Sequence, residues 1–99
     1  MDKSNDAASK YTIWKYPIEP ADVQFISAPR GAKFVGVWLQ HNNPCMWAVV
    51  NPDAEMVEYS VMVAGTGHER QDITPETYVG SFQMLNGSLV FHVFVEQKK

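Results

Sequence analysis

The string Gly65-Thr66-Gly67-His68 is the part of the sequence that most resembles a chemical motif. Two glycines one residue apart can turn backbone N–H groups toward an anion, and Thr66, His68 and Arg70 can add hydrogen-bond donors. This interpretation predicts a site for a phosphate-bearing small molecule. The string fails the tests for a nucleotide loop, because neither a Gly-Lys-Ser/Thr element nor a helix follows it. The alternative is a strand exit at which the glycines form tight turns.

The histidines and the single cysteine give little support to metal chemistry. His41, His68 and His92 show no zinc-ligand spacing, and Cys45 lies within an apolar strand pattern. We expect His92 to be a partly buried, hydrogen-bonded side chain and Cys45 to be a small buried hydrophobe. The sequence therefore predicts no metal site and no cofactor.

Acidic residues occur as close pairs at Asp53 and Glu55 and at Glu69 and Asp72. General acid–base chemistry needs a carboxylate pair or a carboxylate with a histidine. Both pairs fall in predicted loops, and no serine, histidine and aspartate order stands out in the chain. We therefore expect a protein that is not an enzyme.

Aromatic side chains are the remaining resource for binding. Trp38 and Trp47 lie in the most apolar stretch of the chain, which predicts a core position for both. Trp14 and its neighbour Tyr16 lie in a predicted edge strand, so they are candidates for an interface. Edge strands also invite pairing, which leaves a homodimer built by sheet extension open. Tyr78 or Trp14 is the candidate to stack on a base held by the glycine-rich loop.

The stretch from Phe34 to Val50 predicts the central hairpin of the fold. Its two apolar runs, residues 34–39 and 45–50, are apolar at odd and even positions, which predicts strands that are covered on both faces. Residues 56–64 alternate as a half-exposed strand does, and Asn86-Gly87 is the strongest hairpin signal. Further strands are predicted over residues 11–16, 23–26, 77–85 and 88–95, with a single helical turn at residues 74–76.

Together these segments predict an all-β domain of about seven short strands with little or no helix. The strands must pair antiparallel, because only residues 65–76 are long enough for a parallel crossover. We expect a single-domain antiparallel β-sandwich or a small barrel over residues 11–96. A disordered amino-terminal tail is expected over residues 1–10.

The charge balance limits the class of partner. Eleven acidic and eight basic residues give a formal net charge of −3 without a cationic cluster, so no direct contact with nucleic acid is expected. One cysteine cannot form an internal disulfide, the amino terminus lacks the apolar region of a signal peptide, and no apolar run is long enough to span a bilayer. We expect no membrane association and a reducing cytoplasm.

Four segments occur together in a recognisable order: WKYPI at 14–18, PCMWAVV at 44–50, GTGH at 65–68, and GSFQ at 80–83 followed by LVFHVF at 89–94. As a set they resemble a family of short phage and prophage proteins of unknown function, over residues 11–95. No catalytic residue carries over from that family. The resemblance implies a small accessory protein made inside a bacterial host, and accessory proteins of this size often act by binding.

The expected function is therefore that of a phage-encoded binding protein, an anti-defence inhibitor of a host immune protein such as a CRISPR effector. One alternative is a sponge that sequesters a nucleotide signal at the glycine-rich loop. The other alternative is an accessory protein of the virion. The expected partner is a host bacterial protein, and the expected location is the host bacterial cytoplasm.

Overall fold

The structure, a computed structural model, describes residues 10–98, and the predicted tail therefore lies outside the described residues except for Lys10. Seven strands account for most of the described chain, and a single 3-10 turn over Pro75–Thr77 lies where the sequence predicts one helical turn. No helix among residues 10–98 is long and apolar enough to cross a membrane. The strands are β1 (Thr12–Pro17), β2 (Val23–Pro29), β3 (Lys33–Gln40), β4 (Asn43–Val50), β5 (Met56–Gly65), β6 (Tyr78–Met84) and β7 (Leu89–Gln97).

The strands form two sheets in which every neighbouring pair is antiparallel. The three-stranded sheet has the order β1-β4-β3, and the four-stranded sheet has the order β2-β5-β7-β6. No hydrogen-bonded strand pair joins the two sheets within the described part of the chain. The predicted all-β antiparallel fold of seven strands is confirmed, and its architecture is the sandwich rather than the closed barrel.

The core lies between the two sheets and takes side chains from both. Val37 and Met46 come from the three-stranded sheet, and Val61, Phe82 and Val93 come from the four-stranded sheet. Burying each of these apolar side chains stabilises the fold by roughly 1.5–3 kcal/mol, so the contact between the sheets is the main source of stability.

Two hairpin turns set the strand registers. His41 and Asn42, between β3 and β4, both have positive φ, which is the backbone that a two-residue type I′ turn requires. The second hairpin, between β6 and β7, confirms the Asn86-Gly87 signal but has a four-residue turn. Leu85, Asn86 and Gly87 all have positive φ there, and the N–H of Gly87 donates to the carbonyl of Met84.

The prediction that both faces of the central hairpin are covered is wrong for β3. Trp38 has a core position in that prediction, but its side chain is 51% exposed. The β-bulge between Phe34 and Gly36 reverses the alternation along β3, so that Val37 faces the core and Trp38 faces away from it. Within the described residues no further layer packs on that outward side. The apolar character of both faces therefore reflects an open sheet face.

The predicted alternation of β5 holds only for part of the strand. Tyr59, Val61 and Val63 are buried toward the core as expected. Met62 and Ala64 are buried on the opposite face. Ala64 lines a cavity together with Ile73 of the long loop, residues 66–77, because this loop folds back over the end of the sheet.

Candidate functional site

The glycine-rich string forms a tight turn at the end of β5. The N–H of His68 donates to the carbonyl of Gly65 at 3.1 Å, and Gly67 has a φ of 86°. A positive φ at the third residue is what a type II turn requires, so glycine is needed at this position. The His68 ring packs against Gly65, where an added Cβ would lie 3.1 Å from Nδ1. The geometry matches the strand-exit interpretation of the two glycines.

This turn forms one wall of a cavity of about 230 Å³, the loop cavity, on the outward face of the four-stranded sheet. Strand pairing places Tyr78 opposite Phe94, and their rings meet edge to face with centroids 5.5 Å apart. The structure therefore brings Tyr78 beside the glycine-rich turn, as the predicted base-stacking site requires. The lining residues are Ala64, Gly65, Thr66, Gly67, His68, Ile73, Tyr78, His92 and Phe94.

A chain of hydroxyl groups and one imidazole runs along this cavity. The Thr66 hydroxyl lies 2.6 Å from Nε2 of His92, and the Ser81 hydroxyl lies 2.7 Å from Nδ1 of the same ring. The Tyr78 hydroxyl continues the chain to Ser81 at 2.8 Å. A neutral imidazole has one donor and one acceptor nitrogen, and hydroxyl groups can meet either need. His92 is thus the partly buried, hydrogen-bonded histidine that the sequence predicts.

The Thr66 and His92 pair has the spacing of a hydroxyl nucleophile and its base. The group at the other nitrogen of the His92 ring, however, is not the one that a catalytic triad has there. Ser81 lies at the nitrogen where a catalytic triad has a carboxylate that stabilises the imidazolium. Among residues 10–98, no group of three or more histidine, cysteine, aspartate or glutamate side chains is arranged to hold a metal ion. What this chain of hydrogen bonds does is tie the turn to β6 and β7.

Arg70, a predicted ligand-binding residue, is occupied within the fold. Its guanidinium donates to both carboxylate oxygens of Asp72 at 3.0 and 2.8 Å, to the carbonyl of Val63 at 2.8 Å and to the carbonyl of Asp22 at 2.9 Å. The hydrogen bond from Arg70 lowers the pKa of the Asp72 carboxyl. Arg70 therefore anchors the long loop to β5 and to the start of β2, and its guanidinium does not line the loop cavity.

The predicted interface residues of β1 lie on its core-facing side. Trp14 is paired with Ala48 and Tyr16 with Met46, and both partners are fully buried. The Tyr16 hydroxyl is buried without a hydrogen-bond partner among the described residues, and burial, followed by the charge of nearby Tyr59, raises its pKa. Within residues 10–98, β1 is an edge strand as predicted, while the interface role of Trp14 stays a prediction.

Sequence reasoning missed a second candidate site, the side of the three-stranded sheet turned away from the core. We call it the outer face and define it by six residues. Trp38 stacks on Trp47 there, with ring centroids 5.1 Å apart and planes 18° from parallel. Gly36 makes room for this arrangement, since an added Cβ would lie 2.8 Å from the Trp38 ring. The six residues are Ile13, Lys15, Lys33, Trp38, Trp47 and Val49.

One sequence signal points to the outer face. The segments that form β1, β3 and β4 contain two lysines and no acidic residue, although the whole chain has a net charge of −3. A strand that is apolar on both faces and lacks acidic residues is compatible with two structures. Its second face can be covered by another layer of the protein, or it can be an exposed surface that binds a partner. The choice between these interpretations depends on what packs on the sheet, which local sequence does not show.

Comparison with known proteins identifies the chain at the level of a family. Neither the curated proteins nor the solved structures contain a match to it. A family model described as a domain of unknown function, DUF7352, matches residues 9–99 and so includes all seven strands and both candidate sites. The chain therefore belongs to the DUF7352 family of domains of unknown function.

Proposed function

We propose that this chain is a non-enzymatic binding protein that acts by docking on another protein through the outer face. The observation that carries the proposal is the exposed Trp38 ring, which is pre-stacked on the partly buried Trp47 ring on an open sheet face. Tryptophan is enriched among the residues that dominate binding energy at protein interfaces. A ring that is already stacked loses little conformational freedom on binding, which favours affinity.

The resemblance to short phage and prophage proteins supports a more specific proposal about the partner. A small accessory protein made in an infected bacterium meets host proteins in the host cytoplasm. We propose that the partner is a host immune protein, such as a CRISPR effector, and that docking inhibits it. This part rests on the resemblance, whereas the docking face rests on the geometry.

Native mass spectrometry of the tagged chain, isolated gently from a bacterial lysate, tests the proposal. We expect a discrete added protein mass in near-stoichiometric amount, and the loss of that mass with Trp38→Ala. Co-expression of the chain with an active defence system should restore plaque formation by a phage that the system blocks. A chain that carries no added protein and restores no plaques would contradict the proposal. A bare dimer would favour sheet extension at the β1 edge.

The loop cavity supports a second candidate function, capture of a small nucleotide signal. The specific observation is that Thr66, Gly67, His68 and Tyr78 line one cavity, as the sequence-based hypothesis requires. Bases stack on aromatic side chains with a free energy of about 1–3 kcal/mol. Arg70 is engaged within the fold, so its guanidinium does not bind a phosphate group in the loop cavity. The cavity therefore favours ligands that are recognised mainly by their aromatic ring.

Thermal denaturation in the presence of cyclic mononucleotides and cyclic dinucleotides tests this second function. A ligand that binds the native state raises the midpoint of unfolding in proportion to the logarithm of its concentration. The rise should be lost with His68→Ala and with Tyr78→Ala, and it should persist with His41→Ala, which changes an exposed histidine in a distant turn. An unchanged midpoint with every nucleotide would rule out the function.

A further inference from the structure

The strands of the three-stranded sheet carry basic but no acidic side chains. β1, β3 and β4 together contain Lys15 and Lys33 and no acidic residue. Every acidic residue of the described chain lies outside these strands. They are Glu19, Asp22, Asp53, Glu55, Glu58, Glu69, Asp72, Glu76 and Glu96. The outer face is therefore a local cationic surface on a protein whose net charge is negative.

The cations that form ion pairs within the described part of the chain lie away from the outer face. Arg30 pairs with Glu55 at 3.0 Å, Arg70 with Asp72 at 2.8 Å, and Lys98 with Glu58 at 2.9 Å. On the outer face, the Lys15 ammonium donates to the neutral amide oxygen of Gln40 at 2.8 Å. Neither Lys15 nor Lys33 forms an ion pair with any residue that the structure describes. Among residues 10–98, both positive charges of this face thus lack an anionic partner.

An apolar patch lies between these two charges. Trp38 and Trp47 stack at its centre, with Ile13 of β1 on one side, 61% exposed. A central aromatic anchor surrounded by charged positions is the usual anatomy of a protein-binding surface. The two lysines then select for partners that bring carboxylates to the edge of the patch.

We propose that the outer face docks an acidic protein segment in which aspartate or glutamate residues flank an aromatic or aliphatic anchor. The anchor packs on Trp38, and the carboxylates meet Lys15 and Lys33. This inference rests on the proposed docking function and deepens it by naming the chemistry of the partner.

Two other occupants fit the charges less well. A second copy of the chain, joined through the same face by a two-fold axis, would bring Lys15 and Lys33 of one copy against the lysines of the other. A single-stranded nucleic acid needs a groove of cations that follows its backbone, whereas this face has two lysines on a protein of net charge −3. The acidic segment meets both the apolar and the charged requirement.

Three probes separate these occupants in titrations of the isotope-labelled chain followed by NMR. The first is a synthetic peptide that alternates glutamate with leucine around one tryptophan, and the second replaces each glutamate by lysine. The third is an oligothymidine of similar length. We expect the acidic peptide alone to shift the Trp38 indole signal and the Lys15 and Lys33 amides, with an affinity that falls as salt rises.

Matched variants locate the interaction. Lys15→Glu with Lys33→Glu changes two exposed side chains and should weaken the acidic peptide at least about tenfold, while the fold persists. The control is Phe25→Ala with Lys98→Glu on the side of the four-stranded sheet. Lys98 lies 4.7 Å from the centre of the Phe25 ring, and Phe25 is about as exposed as Trp38. The control pair should leave peptide binding unchanged.

Several outcomes would overturn the inference. They are equal binding of the basic peptide, binding of oligothymidine alone, concentration-dependent self-association through the outer face, and binding that survives both lysine changes. These outcomes differ from failure of the proposed function. A lysate partner that stays bound to the Lys15→Glu, Lys33→Glu variant would keep the docking function and reject the acidic segment, whereas the absence of any partner rejects the docking function.

Discussion

Two tyrosine hydroxyls in the same aromatic cluster differ in how they are satisfied. The Tyr59 hydroxyl donates to the carbonyl of Pro29 at 2.8 Å and accepts from the N–H of Ala32. The Tyr16 hydroxyl is buried without a partner among residues 10–98, and its ring packs near Phe34. Desolvation of an unpartnered polar group costs about 1–3 kcal/mol, so this one atom opposes folding.

Replacing Tyr16 by phenylalanine should therefore stabilise the protein. We expect Tyr16→Phe to raise the free energy of unfolding by about 1 kcal/mol, which corresponds to a midpoint higher by roughly 4–8 °C in a domain of this size. Tyr59→Phe is the matched control and should lower the free energy of unfolding, since it removes the 2.8 Å hydrogen bond that the buried Tyr59 hydroxyl donates to the Pro29 carbonyl. Urea denaturation at neutral pH measures both, and a loss of stability in Tyr16→Phe would contradict the argument.

The Tyr16 pKa adds a pH dependence with a definite sign. Burial raises this pKa in the folded state, so the neutral hydroxyl is favoured there. Because the unfolded chain ionises first, the fold loses stability as pH rises from the ordinary tyrosine pKa through the raised value. The advantage of Tyr16→Phe over the parent chain should therefore grow at strongly alkaline pH.

At the scale of elements, the Arg70 side chain is a main attachment of the long loop to the sheet. Arg70 is largely buried and uses its guanidinium to hold the carbonyls of Asp22 and Val63 in addition to the Asp72 carboxylate. Without it, these carbonyls lose their charged donor, and the loop loses its attachment to β2 and β5. The hydrogen bonds of His92 would remain as the other attachment.

Arg70→Ala should cost about 2–3 kcal/mol of stability, as expected for the loss of hydrogen bonds to a charged group. Arg30→Ala is the control, because Arg30 and Glu55 form an exposed pair that contributes about 1 kcal/mol or less. Hydrogen exchange should show lost protection confined to the loop and the end of β5. Equal effects of the two changes on unfolding by urea would refute the anchoring role.

The lowered pKa of Asp72 predicts how the same anchor responds to acid. The pairing with Arg70 stabilises the fold above the ordinary aspartate value of 3.8, and this contribution is lost as pH falls through the lowered folded-state pKa. Stability measured from neutral pH to below that value should fall more steeply in the parent chain than in Arg70→Ala. Parallel curves for the two proteins would contradict the coupling.

Local sequence patterns predict the strands and turns better than they predict which faces of the strands are covered by other parts of the chain. The turn residues at His41, Asn42 and Gly87 predict both hairpins, because positive φ is a local requirement that few residue types meet. The exposure of Trp38 and the burial of Met62 could not be predicted, since each depends on whether a distant segment packs on that face. The loop cavity is an intermediate case, in which the glycine-rich turn is a local feature and its meeting with Tyr78 depends on strand register.

At the scale of the whole molecule, the two sheets approach each other closely along the flank formed by β3 and β6. Gly80 of β6 lies directly against Val37 of β3. An added Cβ at Gly80 would be 3.0 Å from Cγ1 and 3.5 Å from the backbone nitrogen of Val37. Val37 is itself buried in the core, so neither partner can move freely. The absence of a side chain at Gly80 therefore sets how near the sheets come on this flank.

This close approach predicts a pair of changes that compensate for each other. Gly80→Ala should lower the free energy of unfolding by about 1–3 kcal/mol, because the added methyl group overpacks the flank. Val37→Ala should also destabilise, since it removes two buried methyl groups. The double variant should be more stable than the sum of the two changes predicts, by at least about 0.5 kcal/mol. The reason is that the smaller side chain at position 37 makes room for the methyl group at position 80, which in turn fills part of the cavity. Strictly additive values from urea denaturation would show that the flank has room for the methyl group and that other contacts set the spacing of the sheets.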